Sequence, residues 1–174
     1  AALRKGVLES TLFPVLCGSA LGQAGVQRLI ELVFDYLPSP IRHTFPAYKG
    51  EDKLEMKSDS EGFCGQIFKT LSEPHLGELA LVRVVSGSIK SGEIVYNANK
   101  DEKEKIGSMY KLRGKERVDT DTLSAGEIGA LVKLKFTKTG DTLSSDSLKC
   151  KMPDLAYPTP LIAMAVTPAT KADQ

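Results

Sequence analysis

The sequence predicts a mainly β fold, a barrel or sandwich of short strands, preceded by one strand–helix unit of α/β character. Three observations carry this. From Phe63 to about Met152, short β-branched and apolar runs recur, broken by Gly, Asn, Asp and Ser. No long helical period interrupts them. Ahead of them, Leu12 to Pro40 joins a continuous apolar run, a small-residue turn and one amphipathic stripe.

Taken in order, residues 1–10 (AALRKGVLES) read as the end of a helix. Leu12 to Cys17 is an unbroken apolar run closed by Gly18 and Ser19, the pattern of a strand covered on both faces in a parallel sheet. Val26, Leu29, Ile30, Val33, Phe34 and Leu37 follow helical spacing along one face. Pro38 and Pro40 stop that helix, because proline lacks the N–H and disfavours helical geometry in the residue before it. One strand and one helix cannot enclose a core. This opening is therefore expected to be the last piece of an α/β domain whose body lies outside the chain, and its apolar stripe is expected to promote self-association.

Residues 41–62, with Pro46, Gly50, Gly62 and the polar run GEDKLEMKSDSEG, read as an exposed linker. Candidate strands follow in CGQIFKTL, ELALVRVVSG, EIVYNA, KIGSMYKL, EIGALVKL and GDTLSS. Ser88-Ile89 reads as a short connection between the Ser86-Gly87 turn and the turn Lys90-Ser91-Gly92-Glu93. Pro153, Pro158 and Pro160 mark a boundary, and LIAMAVTP (161–168) is expected to be a further strand.

Composition narrows the function classes. The chain has 174 residues, 41% hydrophobic and 26% charged, which is globular. A net charge of +1 announces no strongly charged partner, so any nucleic-acid contact must come from local patterning. Aromatics are 6% and Trp is absent, which argues against an aromatic platform for single strands. Cys17, Cys64 and Cys150 are odd in number and widely spaced, so they suggest neither a disulfide framework nor a zinc site and read as reduced cytosolic thiols. No apolar run approaches a membrane span.

Catalytic patterns are missing: there is no HExxH, CxxC, GxSxG or GxxxxGK[ST]. Asp59–Gly62 fits DxxG and Asn99–Glu102 approaches NKxD, but one lies in a polar linker and the other in a charged hairpin. Both read as chance. His75, in SEPHLGE, reads as a turn residue. Two patterns remain. Lys111, Arg113, Lys115 and Arg117 recur at every second residue, which on a single strand would put four cations on one face, toward a phosphate backbone. Lys103, Lys105, Lys133, Lys135 and Lys138 would extend that surface. The second is Cys17-Gly18-Ser19-Ala20, a small-residue turn at the carboxyl end of the first strand, where α/β folds place ligands. By itself it reads equally as a turn needing only small residues.

The residues resemble a family. FPVLCGSA with GVQRLIELVFDYLPSP is similar to the end of the GTPase domain of bacterial elongation factor G, a translational GTPase. FKTLSEPHLGELALVRVVSGSIKSGEIVYN, with its Arg83-Val84-Val85-Ser86-Gly87 signature, resembles that family's second domain. Lys105-Ile106-Gly107, Ala125-Gly126-Glu127-Ile128 and Thr139-Gly140-Asp141-Thr142-Leu143 fit its later strands, and Tyr157-Pro158-Thr159-Pro160 the junction into its third. The resemblance implies a closed β-barrel of the domain II type over residues 63–156. It implies a remnant of the GTPase domain over 1–45, a linker over 46–62, and the first strand of domain III over 157–174. It also places Gly18, Ser19, Ala20 and Leu21 at the fifth guanine-nucleotide motif, beside the base.

The implied parent is cytoplasmic, uses GTP and Mg²⁺, and acts on the ribosome in translocation, with the barrel against small-subunit rRNA. The segment itself, lacking the phosphate loop and Mg²⁺ ligands, is expected to hold no cofactor and to turn over no GTP. His75 and the loop carrying Lys111 to Arg117 depart from the family's usual sequence, which points to a divergent or second-copy factor. Sibling GTPases share this barrel: tetracycline ribosome-protection proteins, release-recycling factors and a back-translocase. A free-standing barrel module is the remaining alternative, and it requires residues 11–37 to pack on the barrel.

Overall fold

The computed structural model describes residues 2–73, 77–114 and 116–169. Two helices come first, α1 (Ala2–Leu8) and α2 (Val26–Tyr36), then a 3-10 turn at Pro40–Arg42. Twelve strands follow: β1 (Phe45–Lys49), β2 (Asp52–Met56), β3 (Cys64–Glu73), β4 (Gly77–Ser86), β5 (Ser88–Lys90) and β6 (Ile94–Asn97), then β7 (Glu102–Lys105), β8 (Met109–Arg113), β9 (Glu116–Thr120), β10 (Thr122–Ser124), β11 (Ile128–Val132) and β12 (Thr142–Ser144). His75 and Lys115 lie outside the described residues.

The fold is mainly β, as the sequence predicts. Eight strands form one antiparallel sheet in the order β7-β6-β12-β3-β4-β11-β8-β9. A two-stranded ribbon, β5 with β10, is separate from it. One core joins them: Ile67, Val82, Val84, Ile89, Val95, Met109, Leu123, Leu131 and Leu143 are all buried in a single cluster. These residues come from both halves of the long sheet and from the ribbon, so the sheet wraps a common interior. The ladder itself stays open, since β7 and β9 share no pairing among the described residues. Full burial of each such side chain stabilises by about 1.5–3 kcal/mol.

Alternation explains the strands. In β4 every residue from Leu79 to Ser86 except Arg83 is buried, because β4 sits between β3 and β11 and both its faces are covered. The other face of β4 supports a second cluster, in which Leu79, Leu81, Ala130 and Val132 pack with Leu71 and Tyr110, while Ala80 and Val82 face the main core. Register shifts at Cys64/Gly65 and Ile67/Lys69 mark bulges, which add the local bend a wrapped sheet needs.

Four expectations are corrected. Leu12 to Cys17 forms no strand; it is extended and largely exposed, because no strand among the described residues offers it a ladder. Residues 161–168 likewise form no strand, with Leu161, Ile162, Met164 and Val166 exposed. Ser88-Ile89 is not merely a connection: it is part of β5, and its register opposite β10 buries Ile89 against Leu123. The segment read as an exposed linker holds the β1–β2 hairpin, turned at Gly50 with φ 62°. Its Ala47 and Met56 are buried with Cys64, Val85, Cys150 and Met152 in a third cluster.

Candidate functional site

The turn at Ser19 is built by hydrogen bonds among its own atoms. The Ser19 N–H donates to Ala24 O at 2.9 Å and the Ala24 N–H returns to Ser19 O at 3.0 Å. Inside this clasp the Gly22 N–H donates to Ser19 Oγ at 3.1 Å and the Gln23 N–H to Ala20 O at 3.2 Å. Between Ser19 and Ala24, the Ala20 and Leu21 N–H groups take no partner among the described residues. Glycine is required on both sides. A Cβ at Gly18 would stand 2.8 Å from Ala24 O, and one at Gly25 (φ 77°) 2.8 Å from Cys17 O. Gly25 then caps α2 in the left-handed region.

The structure therefore brings Gly18, Ser19 and Ala20 together around a cleft of about 240 Å³, closed by Leu16, Ala24, Val26 and Leu29. Leu21 is not part of that lining and is 99% exposed at the tip. The stripe of α2 is exposed as well, with Phe34 at 81% and Leu29, Ile30, Val33 and Leu37 all uncovered. Residues 11–37 thus do not pack on the barrel, contrary to the requirement of a free-standing module.

The alternating cations are divided by a hairpin. β8 and β9 reverse at Gly114, φ 61°, and pair Lys111 with Val118, Leu112 with Arg117 and Arg113 with Glu116. Cross-strand partners share a face, so Lys111 and Arg113 lie on one side of the hairpin and Arg117 on the other. The expected single row of four assumed an unbroken strand, and the turn at Gly114 breaks it. Lys111 is ion-paired with Glu127 and Arg117 with Glu73 at 3.4 Å. The Lys111 ammonium, helped by the Ser124 N–H, holds the Glu127 carboxyl below its ordinary value. Arg113 has no acidic partner among the described residues.

A second basic site is assembled from distant segments. Lys103, Lys105, Lys133 and Lys135 line one cleft of about 280 Å³ with Glu104 and Phe136. Lys103 is engaged by Asp146 at 2.9 Å, whereas Lys105, Lys133 and Lys135 carry no ion pair among the described residues. Glu104 lines the same cleft but makes no ion pair with them among the described residues, because its carboxylate is buried and taken up by hydrogen bonds. One oxygen accepts from the Phe136 and Thr137 N–H groups and the other from Thr137 Oγ1 at 3.0 Å.

Behind that cleft lies a polar network that sequence reasoning missed. Asn97 is fully buried, and its Nδ2 donates to Thr137 Oγ1 and Asp141 Oδ2, both at 3.0 Å. Its Oδ1 accepts from the N–H groups of Asn99 and Lys100. Asp141 also accepts from the Lys138 N–H at 2.9 Å. The network pins the 133–141 segment to β6 and β7, and so fixes where the lysines stand. Asn99, from the apparent NKxD near-match, bonds Asp154 and the Thr142 N–H and is structural. Among the described residues, no three His, Cys, Asp or Glu side chains are grouped to hold a metal ion.

Comparison with known proteins decides the family. The profile described as Elongation factor G domain 2 matches residues 62–146, the span of the wrapped sheet from the turn before β3 to just past β12. The chain belongs to the elongation factor G family through its domain 2. Over 99% of its length it is 41% identical to Elongation factor G of Ureaplasma urealyticum serovar 10, of which it covers 25%. A crystal structure from Thermus thermophilus has the same fold, with a TM-score of 0.70 at 24% identity over 99% of this chain and 24% of that one. The chain thus spans about a quarter of the length of the relatives it matches. No helix among the described residues is long and apolar enough to cross a membrane.

Proposed function

We propose that this chain is the domain II region of a cytoplasmic elongation factor G-like GTPase that drives translocation on the ribosome. The observation that carries the reading is the 41% identity to elongation factor G, which extends through residues 1–45 as well as the barrel. The barrel is the part that rests on the small subunit and relays the state of the nucleotide domain. It meets ribosomal RNA through cations, because phosphate contacts position a protein on nucleic acid without reading bases.

Two sites supply those cations. The β8–β9 hairpin offers Arg113, with Lys111 on the same face and Arg117 on the other. The ion pairs of Lys111 and Arg117 are half-exposed, and such pairs are worth about 0–1 kcal/mol, so a phosphate can replace the carboxylate. The cleft of Lys105, Lys133 and Lys135 offers three more. Binding of the chain to purified small ribosomal subunits tests this reading.

GTP and Mg²⁺ belong to the rest of the GTPase domain. Gly18, Ser19, Ala20 and Leu21 would close the guanine side of that site, with the Ala20 and Leu21 N–H groups left without a partner in the turn among the described residues. The open stripe of α2 supports the same reading, since an apolar face of this kind packs against the remainder of an α/β domain. In the isolated chain a second copy is the available cover. Sedimentation is expected to show self-association that rises with concentration and disappears in Phe34→Lys. A monomer at high concentration would contradict it.

A further inference from the structure

Cys64 and Cys150 are the third cluster's unused chemistry. Both are fully buried, and their sulfurs share a hydrogen bond at 3.3 Å although the residues are 86 apart in sequence. Cys64 opens β3, the first strand of the wrapped sheet. Cys150 follows β12, the last. The pair therefore sits where the chain enters and leaves the barrel domain, and the β1–β2 hairpin lies over it through Ala47 and Met56.

We propose that Cys64 and Cys150 are a reversible oxidation site, forming a disulfide that staples the two ends of the barrel domain when the protein meets a peroxide. The sulfurs need to approach by little more than 1 Å to reach bonding distance, about 2.05 Å. Access comes from a short latch. The residue after Cys150 is tied to β1 by two bonds, Tyr48 N–H to Lys151 O at 2.7 Å and Lys151 N–H to Tyr48 O at 2.8 Å, an isolated bridge whose Lys151 side belongs to no strand. A two-bond bridge of this kind opens far more often than the sheet around it.

Cys150 is the sulfur that reacts first. The hydrogen bond that joins it to Cys64, with Lys49 nearby, holds the Cys150 thiol below its ordinary value, while that bond and burial push Cys64 up. The Cys150 thiolate attacks one peroxide oxygen, the O–O bond breaks, and hydroxide leaves and takes up the thiol's proton as water. Cys150 is then a sulfenic acid. The Cys64 sulfur attacks that sulfur, the S–O bond breaks, and a second water leaves with the Cys64 proton. Two thiols are oxidised by two electrons and one peroxide is reduced to two waters. A dithiol reductant reverses the step by exchange.

The test uses the full chain carrying Cys17→Ser, which removes the exposed third thiol. The protein is treated with hydrogen peroxide, denatured, alkylated and mapped by mass spectrometry. The expected result is that both thiols disappear together into one cross-linked peptide pair and that dithiothreitol restores both. The oxidised chain is also expected to melt at a higher temperature, because the bond closes a long loop in the unfolded state. Cys150→Ala and, separately, Cys64→Ala should each abolish the cross-link and leave the other thiol unpaired. Met164, 85% exposed, reports that peroxide has acted. Two alkylatable thiols after Met164 is oxidised would overturn the proposal. So would oxygen addition at Cys150 with Cys64 still free.

Discussion

Gly87→Val is expected to be the most damaging single substitution in the barrel. Gly87 joins β4 to β5 at φ 62°, a region that β-branched residues avoid. A Cβ there would stand 2.6 Å from Gly62 O, 2.8 Å from Gly62 C and 3.0 Å from Phe63 N, all backbone atoms that cannot rotate away. The approach is held from both sides. Ser86 Oγ donates to Gly62 O at 3.0 Å, and Gly87 O accepts from the Ala125 N–H at 2.9 Å. Relieving the clash breaks those bonds, so the loss should exceed about 4 kcal/mol, a large share of the roughly 5–15 kcal/mol that holds a domain. Gly92→Ala is the control. Gly92 has φ 83° but nothing within 4 Å of its Cβ position, so only backbone strain applies and the loss should be about 1–2 kcal/mol. Thermal melts of the two variants should differ by well over about 10 °C. Similar melts would show that the close approach to Gly62 does not govern this turn.

Asn97→Ala is expected to cost about 3 kcal/mol. It strips one hydrogen bond each from Thr137 and Asp141 and removes the acceptor of the Asn99 and Lys100 N–H groups, in a place with no solvent to replace them. Asn97→Asp should be worse at neutral pH, because it puts a third carboxylate beside Asp141 and Glu104. Burial and like charge would raise the folded pKa of the new group above its unfolded value. The folded state then binds the extra proton as pH falls, so Asn97→Asp regains stability on acidification, whereas Asn97→Ala lacks that term. Denaturant melts from pH 7 to pH 5 should show the gap between the two variants narrowing. A gap that widens would contradict the burial of this network.

The barrel was legible in sequence wherever a strand is covered. β6, β11 and β12 fall within predicted runs and β3, β4 and β8 overrun theirs by one or two residues, because their inward residues are β-branched or apolar and turn residues bound them. Two of the strands that escaped, β7 and β9, carry charge. β7 reads EKEK, and its single buried side chain, Glu104, serves a hydrogen-bond network. β9 reads ERVDT at an exposed sheet edge. β1 and β2 were hidden by the polar run around Gly50, although a glycine between two alternating segments is a hairpin signal. Leu12–Cys17 failed the other way, since its composition suits a parallel strand but nothing here pairs with it. The site was legible in part. Gly18, Ser19 and Ala20 do form one turn, but the spacing of Lys111 to Arg117 misled, because period two marks a face only where the strand continues past Gly114. The lysine cleft joins β7 to residues after β11, and no local pattern announces such a contact.

Binding of the chain to purified small ribosomal subunits, measured across a salt series, tests the central claim most directly. The account predicts binding whose log affinity falls linearly with log salt. Arg113→Glu combined with Lys135→Glu should weaken it and reduce the slope by roughly one for each phosphate contact removed. Binding that ignores both salt and the charge reversals, or no binding by a folded chain at low salt, would contradict it.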